Sequence, residues 1–224
     1  MKFYPSFEEI EAIAKEGKYD VAPIYCEILS DAYTPIEVMR ILKNVSPHCY
    51  MLESVGGDEV WGRYTFMGYD PKMLITCNDG VVVTDELTIK VDDLKEFIRG
   101  IMKKHRSPRL ENLPSFTGGL VGFFSYDFFG YSEPAARVPV EDTENFKDLD
   151  LMLFDKVIIF DHYAQKLLLI ANMKLTDLET HYNKAVMDLE NMFKLLKTGK
   201  KKEEPAGRLL GEPKALFDKE AYCD

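Results

Sequence analysis

The chain has 224 residues, of which 46% are apolar and 12% aromatic, with 28 Lys and Arg against 38 Asp and Glu. That length suffices for one or two domains with a substantial core, and the composition excludes a disordered or fibrous chain. A net charge of −10 argues against nucleic-acid binding, which needs a clustered excess of Lys and Arg.

No window approaches the roughly 18 apolar residues of a membrane span. Met1-Lys2-Phe3-Tyr4-Pro5 runs directly into an acidic stretch, without the pattern of a secretory signal. Cys26, Cys49, Cys77 and Cys223 lie far apart with no CxxC pair. Reduced thiols in a soluble, cytoplasmic protein are therefore expected, in place of a disulfide framework or a zinc site.

The first element predicted is a short helix. Ser6 and Glu9 have capping-box spacing, Phe7, Ile10, Ile13 and Ala14 share a face, and Gly17 ends it. Val21 to Leu29 reads as a strand whose Pro23 marks a sheet edge or an irregular entry. Thr34-Pro35 opens a second helix, with Ile36, Met39, Ile41 and Leu42 on its apolar side.

Strands follow at 50–55, 61–68, 73–77 and 81–83, with Gly56-Gly57-Asp58 and Asn78-Asp79-Gly80 as turns. A helix over 91–105 carries Leu94, Phe97, Ile98, Ile101 and Met102 on one side. Phe116 to Tyr131 is Gly-rich and aromatic, and a polar loop with Pro134 and Pro139 comes next. Asp150 to Phe160 and Lys166 to Asn172 read as a strand pair joined by 161–165. A helix over 176–196, a charged linker over 197–205 and the beginning of a helix near Phe217 complete the reading. The chain stops inside that last pattern, as a truncated protein would.

Leu52-Glu53-Ser54 places a carboxylate beside a hydroxyl just before a Gly-Gly turn. Alternation along a strand sends Glu53 and Ser54 to opposite faces unless the strand ends there. If it ends, free peptide groups can join both side chains on a small polar ligand, the carboxylate suiting an ammonium group. The plainer alternative is a surface Glu and a turn-capping Ser.

The stretch Phe116-Thr117-Gly118-Gly119-Leu120-Val121-Gly122 has three glycines in five residues. This suggests close backbone approach or positive φ. GGxxG is neither a dinucleotide fingerprint nor a P-loop, and a tightly packed core strand is expected. His48, His105, His162 and His181 are isolated from one another, so no metal-ligand spacing arises. Asp161-His162 reads as a structural turn. Nothing in these residues amounts to catalytic machinery.

Taken together, Ala22 to Pro35, Tyr50-Met51-Leu52-Glu53-Ser54, Gly62-Arg63-Tyr64-Thr65-Phe66-Met67-Gly68, Phe116 to Asp127 and Ile159-Phe160-Asp161-His162 resemble the amino-terminal half of the anthranilate synthase component I family, in the same order. The resemblance covers nearly the whole chain. It implies an α+β fold, an antiparallel β-sandwich flanked by helices. Residues 1–196 would be a regulatory domain, and 197–224 a linker and the start of a chorismate-binding catalytic domain.

It further implies an enzyme that makes anthranilate and pyruvate from chorismate and ammonia. The ammonia would come from a glutamine amidotransferase partner, component II, and the reaction would need Mg²⁺ held outside this part of the chain, leaving this chain inactive alone. Carried over residue by residue, the feedback site for L-tryptophan falls on Leu52, Glu53 and Ser54, with Arg63 as a basic neighbour. Gly118, Gly119 and Tyr126 are expected to be structural. Aminodeoxychorismate synthase component I, of folate synthesis, is the nearest alternative, and a non-enzymatic tryptophan-binding module another. An exposed apolar face and self-association are expected of the isolated chain.

Overall fold

The computed structural model describes residues 1–53, 62–131, 133, 145–203, 205–215 and 218–223. Ser54, the Gly56-Gly57-Asp58 turn, Trp61, Pro134, Pro139 and Phe217 lie outside the described residues. The fold is α+β, as expected: two five-stranded antiparallel sheets flanked by helices.

Helix α1 (Phe7–Lys15) starts on the full capping box. Ser6 Oγ accepts from the Glu9 amide, and the Glu9 carboxylate accepts from the Ser6 amide. Each of these bonds satisfies a backbone donor that the first helical turn would otherwise leave unpaired. Strand β1 (Val21–Leu29) is an outer strand, so Pro23 sits on an edge, where its missing N–H is tolerated. Thr34 caps α2 (Pro35–Val45) through the Glu37 amide.

The first sheet has the order β1, β10 (Lys166–Lys174), β9 (Lys156–Asp161), β3 (Tyr64–Tyr69), β2 (Cys49–Glu53). Alternation divides its side chains between two faces. Ala22, Ile24, Met67, Ile158, Leu167 and Leu169 pack under α1, α2 and α4 (Leu178–Thr198), against Ile10, Val38, Leu42, Leu189 and Met192. On the other face Tyr25, Ile159, Leu168 and Ile170 meet Leu110, Leu113 and Phe116.

The second sheet has the order β6 (Thr88–Lys90), β5 (Val81–Thr84), β4 (Met73–Asn78), β8 (Leu149–Phe154), β7 (Gly119–Phe124). Helix α3 (Leu94–Lys103) covers it through Leu94, Phe97, Ile98 and Ile101. The β4–β5 turn has positive φ at Asp79 and Gly80, the requirement of a type I′ hairpin. Tyr131 Oη pins it, accepting from the Gly80 amide and donating to Asp148 Oδ2 at 2.6 Å.

Five expectations are corrected. Ile36 of α2 and Met102 of α3, expected on apolar sides, are exposed, and Val38 is buried on α2 in place of Ile36. The run 150–160 is two strands, not one: β8 and β9 belong to different sheets and part at Asp155. Side by side with this crossing, β3 and β4 pass between the same two sheets. Lys156 Nζ donates to Asp70 at 2.7 Å and Lys72 lies 3.9 Å from Asp155, so each crossing holds the other. β6 is an additional, fully exposed strand.

The Gly-rich stretch forms an edge strand rather than a core strand, with Phe123 and Phe124 exposed. Its glycines still behave as their density suggested, with positive φ at Gly118, Gly119 and Gly122. Tyr126 is not a packing residue. It begins a 3₁₀ turn (Tyr126–Tyr131) whose three-residue period directs Phe128 and Tyr131 inward and leaves Tyr126 94% exposed. Beyond α4, residues 205–215 carry neither helix nor strand, and α5 (Lys219–Cys223) is short.

Candidate functional site

Strand β2 is the outer strand of the first sheet, and among the described residues its ladder with β3 runs as far as the pair Glu53 and Thr65. Leu52, opposite Phe66, lies on the face that looks away from α2 and α4. There it joins Phe116, Leu120, Val121, Gly122, Phe124 and Leu151 around an apolar hollow of about 270 Å³. Residues of both sheets form this wall. Its volume lies just under the usual range of small-molecule pockets, and its lining is apolar as such pockets are.

Glu53 points to the other face. Its partner Thr65 is fully buried, beside Met67 of the same strand and opposite Phe160 of β9. Thr65 Oγ1 lies 3.4 Å from Glu53 Oε1 and 2.7 Å from His162 Nε2. The His162 ring stacks on Phe160 with its plane tilted by 17°, and its backbone amide donates to the Arg63 carbonyl. Leu52 and Glu53, adjacent in sequence, thus address opposite faces of the sheet.

Arg63 is committed to a carboxylate within the protein. Its Nε and Nη2 donate to Asp161 Oδ1 and Oδ2 at 3.0 and 2.7 Å, the two-pronged geometry that suits guanidinium and carboxylate. The guanidinium also lies 4.9 Å from the centre of the Tyr64 ring and 5.5 Å from that of Tyr163. Burial alone would push the Asp161 carboxyl up. The Arg63 bonds and charge, with amides of Ala164 and Tyr163, outweigh it and hold the group below its ordinary range.

Of the residues singled out by sequence, the structure brings Glu53 and Arg63 to one end of the first sheet and places Leu52 on its reverse face. Ser54 lies outside the described residues. Thr65, Asp161 and His162 were not foreseen as site residues. Asp161 and His162, adjacent in sequence, do not bond to each other; each reaches a different partner on β3 or just before it. Thr65 carried one signal: a hydroxyl at a position which alternation with Met67 assigns to the buried face. Among the described residues no three His, Cys, Asp or Glu side chains gather to hold a metal ion, and no helix is long and apolar enough to cross a membrane.

Comparison with known proteins agrees with this architecture. The family model for chorismate binding enzymes matches residues 47–224. Anthranilate synthase component 1 of Acetivibrio thermocellus is 33% identical over 189 residues, 82% of this chain and 37% of that protein. The protein of the same name from Acinetobacter calcoaceticus is 35% identical over 207 residues, 86% of this chain and 40% of its own length. The crystal structure of anthranilate synthase component I from Streptococcus pneumoniae TIGR4 superposes with a TM-score of 0.52 at 26% identity, covering 77% of this chain and 37% of that one. The chain spans about two fifths of the length of these two curated relatives. With the family model matching well over half of its residues, this chain belongs to the chorismate-binding enzyme family.

Proposed function

We propose that this chain is the tryptophan-sensing part of an anthranilate synthase component I, which makes anthranilate and pyruvate from chorismate and glutamine-derived ammonia. The observation that carries this reading is the position of Leu52. It walls an apolar hollow between the two sheets, and the next residue of the strand, Glu53, carries a carboxylate on the other face. An indole suits the hollow and an ammonium group suits Glu53, with the ligand reaching across the edge strand. Ser54 and Arg63 complete the proposed contacts, Arg63 with its charge already balanced by Asp161.

Feedback then works as a coupling between tryptophan and chorismate. Such couplings are typically about 1–3 kcal/mol, or roughly 5–150-fold in affinity. Tryptophan shifts the population toward an arrangement that binds chorismate poorly. Chorismate, component II and Mg²⁺ act with the rest of the enzyme. The chain is expected to be inactive alone.

The test is calorimetric titration of the 224-residue chain with L-tryptophan, with L-phenylalanine as control. Saturable binding of tryptophan alone, abolished in Glu53→Ala, is the expected result. Equal affinity in Glu53→Ala removes Glu53 from the site. Failure of the wild-type chain to bind tryptophan refutes a sensing site built by these residues.

A further inference from the structure

Thr65 is 0% exposed, the second residue of β3 and on a face otherwise lined by Met67, Ile158 and Phe160. Valine has the same shape, favours strands equally and carries no polar group to satisfy. A buried hydroxyl left without partners is costly. This one has two, Glu53 Oε1 at 3.4 Å and His162 Nε2 at 2.7 Å, and it has a single proton to share between them.

An ionised carboxylate only accepts hydrogen bonds, whereas a neutral imidazole nitrogen either donates or accepts. One proton order therefore satisfies all three groups: His162 Nε2–H donates to Thr65 Oγ1, and the Thr65 hydroxyl donates to Glu53 Oε1. The reverse order spends the hydroxyl proton on a bare Nε2 and turns oxygen lone pairs toward the carboxylate. Two charged groups at this end of the sheet are already engaged. Asp161 is held by Arg63 and by the Ala164 amide, and Lys166 pairs with Glu27 across β10 and β1.

We propose that Thr65 is a positioning residue: with His162 Nε2–H behind it, its hydroxyl fixes the Glu53 carboxylate at the end of β2 so that the second oxygen, Oε2, faces an incoming ammonium group. The ligand consequence rests on the tryptophan-sensing reading; the proton order does not. The arrangement links strands β2 and β3 to the residue that follows β9, three separate stretches of chain, through one hydroxyl.

The experiment is long-range ¹H–¹⁵N correlation of the histidine side chains in the 224-residue chain, recorded well above the ordinary histidine titration range. Backbone spectra serve as the check that each variant is folded. Wild type and Thr65→Ser are expected to hold neutral His162 in the Nε2–H form. In Glu53→Ala the hydroxyl is released to donate to Nε2, and the Nδ1–H form is expected to grow. In Thr65→Val, His162 is expected to stop responding to removal of Glu53. L-Tryptophan affinity read on the same proteins is expected to fall about tenfold in Thr65→Val, the worth of an ordinary hydrogen bond or slightly more, and to stay within about twofold in Thr65→Ser.

An Nδ1–H form in the wild type overturns the proposal, as does a His162 tautomer that ignores Glu53→Ala. Equal tryptophan affinity in wild type and Thr65→Val also overturns the positioning role. If no tryptophan binds but the tautomers change as stated, the sensing reading fails while the proton order stands.

Discussion

Gly119 and Gly122 lie three residues apart on β7, with φ of +137° and +156°, and they allow backbone strain to be separated from close packing. Alanine at either position adopts a backbone conformation that costs roughly 1–3 kcal/mol. The surroundings differ. At Gly119 the nearest atom to an added Cβ is the Phe116 ring at 3.9 Å, an ordinary contact. At Gly122 the Cβ would lie 1.9 Å from the Asp150 carbonyl oxygen and 2.9 Å from Leu151 Cα, both backbone atoms of β8.

No side chain can rotate away, so β7 must separate from β8 by about 1 Å or more to reach normal contact distance. Ladder bonds flanking the Gly122–Leu151 pair are then lost. Two or three bonds at about 0.5–1.5 kcal/mol each give Gly122→Ala an excess of roughly 2–3 kcal/mol over Gly119→Ala. For a protein of this size that difference is about 4–12 °C in the melting temperature. Thermal unfolding followed by circular dichroism of the two variants measures it. Coincident melting curves would show that β7 does not need the close approach, and would refute the steric reasoning.

Three further outcomes follow from contacts elsewhere. Asp161→Asn tests a pH dependence with a defined sign. The native Asp161 carboxyl lies below its ordinary value, so the unfolded chain takes the proton more readily. Its stabilisation is complete above the unfolded pKa of about 3.9 and is lost as pH falls through the native value. Because the Arg63 side chain is 38% exposed, the effect is on the order of 1 kcal/mol. Urea melts from neutral to acid pH should therefore fall less steeply in the variant than in the wild type. Ser6→Ala removes the α1 cap and is expected to cost about 1 kcal/mol in the same assay. Leu189→Ala, at a fully buried position of α4, leaves a cavity against the first sheet and should cost about 2–5 kcal/mol.

What the sequence revealed depended on the range of the interaction. The α1 cap is written within three residues, Ser6 to Glu9, and the Thr34-Pro35 start of α2 within two. The Asn78-Asp79-Gly80 turn is equally local. The division of 150–160 between two sheets was hidden because the runs on either side of Asp155-Lys156 are both mainly apolar and mostly buried, and two charged residues are a small break in such a stretch. Thr88–Lys90 is three exposed residues, too short to show a period.

The candidate site followed the same rule. Leu52 and Glu53 were visible as a motif, whereas Thr65–His162 and Arg63–Asp161 join residues 97 and 98 positions apart. Such pairings exist only once β3 and β9 are neighbours. His162 gave no sign of its partner because the residue beside it in sequence, Asp161, turns to a different one.

The pairing of β1 with β10 also sets a timetable for synthesis. Val21 meets Lys174 and Leu29 meets Lys166, so an apolar strand made early waits for a partner made roughly 150 residues later. At ~5–20 residues per second, that is on the order of 10 s on the ribosome. Throughout this interval Val21, Ala22, Ile24, Tyr25 and Cys26, all destined for burial, have no sheet to join. The second sheet, drawn wholly from residues between 73 and 154, can assemble first. Pro23 then has a second use. A strand lacking one backbone donor is a poor template for foreign strands, which protects the nascent chain from its neighbours until β10 arrives.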